Sequence, residues 1–491
     1  MILAIDQGTS GTAALVVAPD ATVAGQGHVP ITAHHPRPGW VEQDAAEIRR
    51  SVQRAAQLAL ADAGDPPLAA IGITNQRETA VAWDAASGRP LAPAIVWQDR
   101  RTAPRCEALR ADGWGPRVAS LTGLTVDPYF SATAYEWMLA HRGPVREAAE
   151  RGSLRLGTVD AWVVWNLTGG AHVTDVSNAS RTMLMDLATQ TWCDELLELF
   201  GVPREALPAI VDSAGEVART REGAGLPADI PISGLAGDQQ AALFGHLAHA
   251  PGDTKVTYGT GGFLLQVAGE ERPEEVAGLL TTVAWRRAGS VTLAREGSVF
   301  VAGALIQWLR DGLGLIAQAR ECEVRARRVP DSAGAVIVPA FAGLGTPNWD
   351  PRARGVIVGL TAGVTADHLC RAALEGIAHQ IADVLDVMDP SDAPLRVDGG
   401  AAASDLLLEL QAAVAGRPVV RPAQLETTAL GAAFLAGLAA GVWGTAEEIR
   451  RNRPPDRVIE ARDDLGAVSR ETWRAAVDRA RRWAPVEEPD T

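Results

Sequence analysis

A single lysine, Lys255, stands in this chain of 491 residues; 60 acids outnumber 45 bases, for a formal charge of −15. That balance excludes a nucleic-acid partner, because phosphate backbones are held by basic stripes that displace counterions. It also means that an anionic ligand must be gripped by a local site, since the overall field does not draw it in. The four cysteines, Cys106, Cys193, Cys322 and Cys370, lie far apart with no CxxC pair. A zinc site and a disulfide framework are thereby excluded, and a reducing compartment fits best. There is no GxxxxGK[ST] phosphate loop, and no low-complexity linker or charge block divides the chain. The N-terminal "MILAIDQGTS" enters a strand pattern at once and leaves no room for a signal peptide, so a cytoplasmic protein is expected.

Residues 427–446, "TTALGAAFLAGLAAGVWGTA", carry no charge, and about 20 such residues suffice to cross a bilayer. The run is mostly Ala, Gly and Thr, interrupted by Gly431, Gly437, Gly441 and Gly444. It reads as a closely packed buried helix ending near Gly441 in a left-handed cap, with no membrane insertion.

A chain of this length exceeds what one core supports, so two or three domains are expected. "ILAIDQGTSGTAALVVA" reads as two strands joined by a tight polar turn between Asp6 and Thr12. A helix follows from Asp44, with Asp44 as N-cap and Glu47 completing a capping box; Ile48, Val52, Ala55, Ala56 and Ala59 form its apolar face. At half-chain distance "GDTKVTYGTGGFLLQVAG" repeats the strand, Gly-Thr turn, strand pattern, which suggests two related halves. The boundary is placed near residue 245: an N-terminal domain over 1–245, a C-terminal domain over 246–450 and a helical extension over 451–491. A long helix is expected over 365–388, with Leu369, Ala373, Ile377 and Ile381 inward. The terminal "SRETWRAAVDRARRWA" reads as an amphipathic helix whose arginines are a solvated face.

Tight turns after strands expose backbone N–H groups, and with hydroxyls beside them these can wrap phosphate oxygens. Gly8, Thr9, Ser10 and Gly11 would form one jaw, and Gly259, Thr260, Gly261 and Gly262 the other. A carboxylate at such a cradle makes sense with a cation between, which assigns Asp6 to Mg²⁺ through water. Asp238, at the strand-to-helix corner of "PISGLAGDQQAALFG", suits a general base that removes a hydroxyl proton, and equally suits a helix N-cap.

The blocks "AIDQGTSGT", "GITNQRET", "IVWQDRRTA", "DPYFSAT", "GTVDAWVVWNLTGG", "NASRTMLMD", "ISGLAGDQQAALFG", "YGTGGF", "AGALIQWLRD", "GLGTPNWDPRARG" and "RVDGGAAASD" occur in an order that resembles the FGGY family of carbohydrate kinases, from about residue 2 to about residue 445. Within the family the likeness is to its glycerol-phosphorylating members. The resemblance implies an α/β fold of two actin-like (ribonuclease H-like) ATPase domains with ATP and Mg²⁺ in the interdomain cleft. It also implies that Arg77 and Glu78 grip the triol, that Tyr129, Asp238 and Gln239 add polar contacts, and that Trp97 and Phe263 wall the carbon chain. Thr9, Ser10, Gly11 and Thr260 would contact phosphates. Gly303, Gln307, Gly400 and Ser404 would lie near ribose and adenine, Ser404 in place of an asparagine. Asp238 would be both the base and, with Asp6, a metal-site carboxylate. Homodimers and homotetramers are both compatible with the likeness.

The sequence departs from the family at several points. Ala13 stands where an arginine commonly reaches the phosphates, and Lys255, on the strand into the second turn, is a candidate to replace part of that charge; an ordinary strand-edge lysine is the plainer reading. Ala134 and Tyr135 also depart. The loop "REGAGLPADIPISG" lacks the arrangement that binds fructose 1,6-bisphosphate, so that regulation is not expected. The expected activity is phosphorylation of glycerol to sn-glycerol 3-phosphate. The alternatives are a kinase for another small polyol or sugar, and an actin-like nucleotide switch.

Overall fold

A computed structural model describes residues 1–453 and 456–484. Among the described residues, thirteen strands form one continuous sheet. In chain order they are β1 (Ile2–Gln7), β2 (Gly11–Val17), β3 (Val23–Pro30), β4 (Ala70–Asn75), β5 (Ala214–Arg219), β6 (Pro231–Gly237) and β7 (Thr254–Tyr258), then β8 (Gly262–Gly269), β9 (Leu280–Arg287), β10 (Ser290–Val299), β11 (Leu395–Asp398), β12 (Val419–Arg421) and β13 (Arg457–Ile459). Across the sheet they run β13-β12-β11-β7-β8-β10-β9-β5-β6-β4-β1-β2-β3.

The half-chain echo is real at the level of topology. β1 and β2 form an antiparallel hairpin, β3 extends it, and β1 pairs in parallel with β4, which pairs in parallel with β6. In the second half β7 and β8 repeat the hairpin, β10 extends it, and β7 pairs in parallel with β11, followed by β12. Parallel pairing needs both sheet faces covered, and the strands accordingly read as continuous apolar runs such as Ile2–Ile5, all fully buried.

The helices that matter for the site are α1 (Ala45–Asp62), α2 (Asp238–Gly245), α3 (Gly303–Asp311), α4 (Ala366–Leu385), α5 (Asp405–Ala415), α6 (Thr427–Ala439) and α7 (Arg470–Ala480). α1 has the expected buried face and the Asp44 cap, whose side chain accepts from the Ala46 amide at 2.8 Å. Glu47 does not close a capping box; it turns to Thr32, accepting from its amide and hydroxyl at 3.2 Å each. α4 begins one residue after Thr365 and buries Ala373, Ile377 and Ile381, while Leu369 is half-buried. Ala134 and Tyr135 are core residues.

The uncharged run forms α6, thirteen residues long, with Gly441 just beyond it at φ +71°. Among the described residues no helix is long and apolar enough to cross a membrane. α6 instead packs its main chain directly on α2: a Cβ on Gly431 would lie 1.8 Å from the Ala241 carbonyl oxygen, and one on Gly245 would lie 2.0 Å from that of Thr427. Although α6 follows the second hairpin in sequence, it also lies on β4 and β6 of the first half, where Gly72 and Gly234 make room for it. α7 buries Trp473, Ala476, Val477 and Ala480. Its arginines are not all solvated, since Arg470 pairs with Asp383 and Asp386 at 2.6 Å each.

Candidate active site

The segment "NQRET" divides its labour. Asn75 and Gln76 face inward as scaffold: Asn75 exchanges amide hydrogen bonds with Asn178, and Gln76 donates to the side-chain oxygens of Gln7 (3.1 Å) and Gln43 (2.9 Å). Gln43 in turn donates to the Thr9 carbonyl at 2.7 Å, so this amide network reaches the first Gly-Thr turn. Glu78 adopts φ +62°, a conformation that costs a non-glycine residue about 1–2 kcal/mol. Ser131 holds its carbonyl at 2.8 Å and Arg181 its side chain, so the surroundings enforce the strained turn.

Arg77 is buried and surrounded by carboxylates. Its Nε lies 3.2 Å from Asp238 Oδ1, and its two terminal nitrogens donate to Glu296 at 2.6 and 3.0 Å; Nη2 also reaches the Tyr129 hydroxyl at 3.3 Å. The aliphatic stem of Arg77 passes close to the main chain at Gly237, where a Cβ would sit 2.7 Å from its Cγ and Cδ. Asp238 is the first residue of α2, and Gly237 is the N-cap, so the N-cap reading is replaced. Its Oδ1 accepts from the Gln239 amide at 2.7 Å, and among the described residues its Oδ2 accepts from no protein donor. Because α2 is jammed against α6, this carboxylate rides on a rigid element, as precise positioning demands.

The apolar walls lie beside it. Trp97 meets Tyr129 and Phe263 edge-on, with ring centroids 5.6 and 6.5 Å apart, and all three rings are half-buried. The Trp97 indole also donates to Thr9 Oγ1 at 2.9 Å. The first turn closes with the Gly8 amide on the Gly11 carbonyl, and the second with the Gly259 amide on the Gly261 carbonyl, both at 2.9 Å. Gly303 starts α3 with its amide on the Gly259 carbonyl at 2.9 Å, and Gln307 lies exposed one turn further on. Gly400 is exposed at the end of β11, and Ser404 Oγ caps α5 by accepting from the Leu407 amide at 3.3 Å, which leaves its hydroxyl proton and one lone pair for a ligand.

Asp6, Ala13 and His28 stand opposite one another in register across β1, β2 and β3. Burial and the nearby Asp238 charge push the Asp6 carboxyl up to about 7. Lys255 is no strand-edge lysine: β7 lies between β8 and β11, and the side chain is fully buried. Its ammonium donates to Gln239 Oε1 and, at 2.8 Å, to Thr257 Oγ1, with burial lowering it to about 8. It therefore serves the Asp238–Gln239 corner, and Gln239 is left to present its amide N–H₂ outward.

Two residues escaped sequence reasoning. Glu296, in the middle of β10, receives both Arg77 nitrogens, and Arg181 donates to Glu296 at 3.0 Å and to Glu78 at 2.6 Å. Burial alone would raise Glu296, but Arg181 and Arg77 overrule it and hold it at about 2. The available signal was an acid inside an apolar strand, "VTLAREGSVF".

Residues 1–245 match the N-terminal domain, and residues 254–440 the C-terminal domain, of the FGGY family of carbohydrate kinases. The chain belongs to this family. The FGGY chain is 51% identical to a glycerol kinase of Aromatoleum aromaticum, over 98% of its own length and 99% of the relative's. Its fold matches the crystal structure of Plasmodium falciparum glycerol kinase with ADP at a TM-score of 0.91, with 31% identity and 98% of each chain covered. A ligand-bound xylulose kinase from Lactobacillus acidophilus shares the fold alone, at a TM-score of 0.87 and 22% identity over 97% of both chains. The expected two-domain α/β kinase fold is therefore established for this chain.

Proposed function

We propose that this chain transfers the γ-phosphoryl group of ATP to glycerol, giving sn-glycerol 3-phosphate. The observation that carries the reading is the convergence of Arg77, Glu78 and Asp238 beside the rings of Trp97 and Phe263. A guanidinium that donates and a carboxylate that accepts together satisfy hydroxyls that do both. Glu78 has an oxygen to spare, since Arg181 takes Oε1 and no described residue donates to Oε2. An acceptor lacking a hydroxyl leaves a buried ion half-satisfied, a loss that can reach about 10⁴-fold in discrimination.

In this reading Asp238 takes the proton of the attacking hydroxyl through Oδ2, while its other oxygen is held by Arg77 and the Gln239 amide. Gln239, Tyr129 and Arg77 orient the polyol, and Trp97 and Phe263 exclude water from its carbon side. Thr9, Ser10, Gly11 and Thr260 wrap the phosphates. Gly303, Gln307, Gly400 and Ser404 lie toward ribose and adenine. Asp6 and Asp238 are oxygen donors of the kind a hard cation takes, with burial and Asp238 pushing Asp6 up to about 7. No cluster of three ligating side chains gathers among the described residues, so an ion would be held mainly through water and phosphate oxygens. Mg²⁺ held there would neutralise charge on the phosphates. We read 1–245 as the half carrying the polyol corner and first turn, 246–450 as that carrying the second turn and adenosine site, and 451–491 as an extension. The cytoplasm, which supplies ATP and keeps the four free cysteines reduced, is the setting this reading calls for.

The test is ADP release with glycerol, erythritol, xylulose or no acceptor. Glycerol-dependent release is expected. Preference for xylulose would make it a pentulose kinase, and acceptor-independent release at the full rate would make it a nucleotide switch.

A further inference from the structure

Arg77, Glu78, Arg181 and Glu296 form a closed ring of buried charge. Glu296 binds Arg77 through both oxygens, at 2.6 and 3.0 Å; Arg181 bonds Glu296 at 3.0 Å and Glu78 at 2.6 Å; Glu78 lies 3.8 Å from Arg77. All four side chains are at most 2% exposed. With Asp238 on Arg77 Nε at 3.2 Å and the Lys255 ammonium on Gln239 beside it, three cations face three carboxylates, so the corner carries no surplus positive charge. A charge-balanced ring is an odd provision for a neutral ligand unless it does two things. It fixes a long, flexible arginine in one rotamer, and it consumes the positive charge that would otherwise attract an acid.

We propose that Glu296 and Arg181 are positioning and specificity-determining residues, which lock Arg77 and Glu78 for an uncharged polyol and exclude a carboxylate from the acceptor position. The inference rests on the polyol-kinase reading above. Glu296 comes from β10, in the second half of the chain, whereas Arg77, Glu78 and Arg181 come from the first. The grip on the acceptor is therefore assembled from both halves. Nη1 of Arg181 is buried and makes no hydrogen bond to any described residue, so this cation has donor capacity that Glu296 and Glu78 do not exhaust. Removing the Glu296 charge leaves Arg77 and Arg181 with unpaired donors and, with Lys255 counted, the corner with one net positive charge, a setting that favours an anion.

The probe is D-glycerate, a three-carbon hydroxy acid, as a competitor of glycerol. In the wild-type kinase its Ki should exceed the glycerol KM at least hundredfold; a Ki near that KM would overturn the proposal without any variant. In Glu296→Gln the glycerol KM should rise at least tenfold, the ATP KM should stay within twofold, and the glycerate Ki should fall at least tenfold. A purely structural Glu296 would lower activity without tightening glycerate, and that result would also overturn it. If Glu296→Gln does not fold, Arg181→Lys, which keeps the charge count, serves instead. It should raise the glycerol KM and leave glycerate excluded, and tighter glycerate binding there would count against the proposal. Failure of the underlying reading is distinct: the wild-type protein would then show no glycerol-dependent ADP release at all.

Discussion

The first Gly-Thr turn is buttressed by side chains: Gln43 donates to the Thr9 carbonyl, and Trp97 donates to the Thr9 hydroxyl. The second is buttressed by main chain, with the amides of Ala302 and Ala304 on the Thr260 carbonyl at 2.8 and 3.1 Å and that of Gly303 on Gly259. Both turns close a hairpin whose first strand pairs in parallel with a later one, so the halves share a plan. What differs is coupling. Gln43 and Trp97 also reach Gln76 and the aromatic wall of the polyol corner, so the first turn is joined to the acceptor site. The second turn is a rigid shelf of main chain, and among the described residues no side chain donates to it.

That contrast can be broken at several points. The largest effect belongs to the group standing between the turns: Asp238→Asn should lower kcat by about 10²–10⁴-fold, the usual worth of a general base, with ATP affinity unchanged in a binding titration. On the rigid shelf, a Cβ at Gly261 would lie 2.4 Å from the Val299 carbonyl oxygen. Gly261→Ala should therefore cost about 1–3 kcal/mol in denaturant unfolding and raise the ATP KM. Gly11→Ala should cost less, since its Cβ would meet the movable end of the exposed His28 side chain at 2.8 Å and the Val29 carbonyl oxygen at 2.9 Å, a milder backbone clash than the one at Gly261. Lys255→Ala removes a buried cation that fixes Gln239, and the polyol KM should rise about tenfold, the worth of one charge-assisted hydrogen bond. An unchanged ATP KM in that variant would retire the idea that Lys255 offsets Ala13.

The acceptor corner should also answer to pH. Burial raises Glu78 to about 7 against the pull of Arg77 and Arg181, so it takes up a proton as pH falls through 7. A protonated Glu78 accepts hydroxyls less well, and kcat/KM for the polyol should decline below pH 7 by no more than about tenfold per unit. Glu78→Gln should remove the Glu78 share of that limb, leaving the part owed to Asp6, which is also raised to about 7. Glu296, held at about 2, contributes nothing to it. The smallest effect expected is that of Trp97→Phe, which keeps the wall but frees the Thr9 hydroxyl. A rise of a few-fold in both Michaelis constants would show the coupling, and a change in the polyol KM alone would limit Trp97 to a wall.

Much of the fold was legible because it is local. The apolar runs of β1, β2, β7 and β8, the Asp44 cap of α1 and the glycine spacing of α6 all express periodicity and backbone sterics within a few residues. Glu47 was misread because a capping box competes with any nearer partner, and Thr32 won. Of the site, Arg77, Glu78 and Asp238 were visible as charges where an apolar strand ends. Glu296 showed only as an acid inside an apolar strand; its partner Arg77 lies 219 residues away, and no local pattern reports such a pairing.

By itself, then, the chain's order of apolar runs, glycines and strand-end charges determined a doubled hairpin plan and which residues could carry chemistry. Only the folded molecule decided how those charges are paired, because the energy of a buried ion depends on what lies within a few ångströms of it in space. Strand β10 brings Glu296 between two arginines of the other half, and α6 presses α2 into place behind Asp238, so the corner acquires both its balance of charge and its fixed geometry from contacts that no stretch of sequence contains.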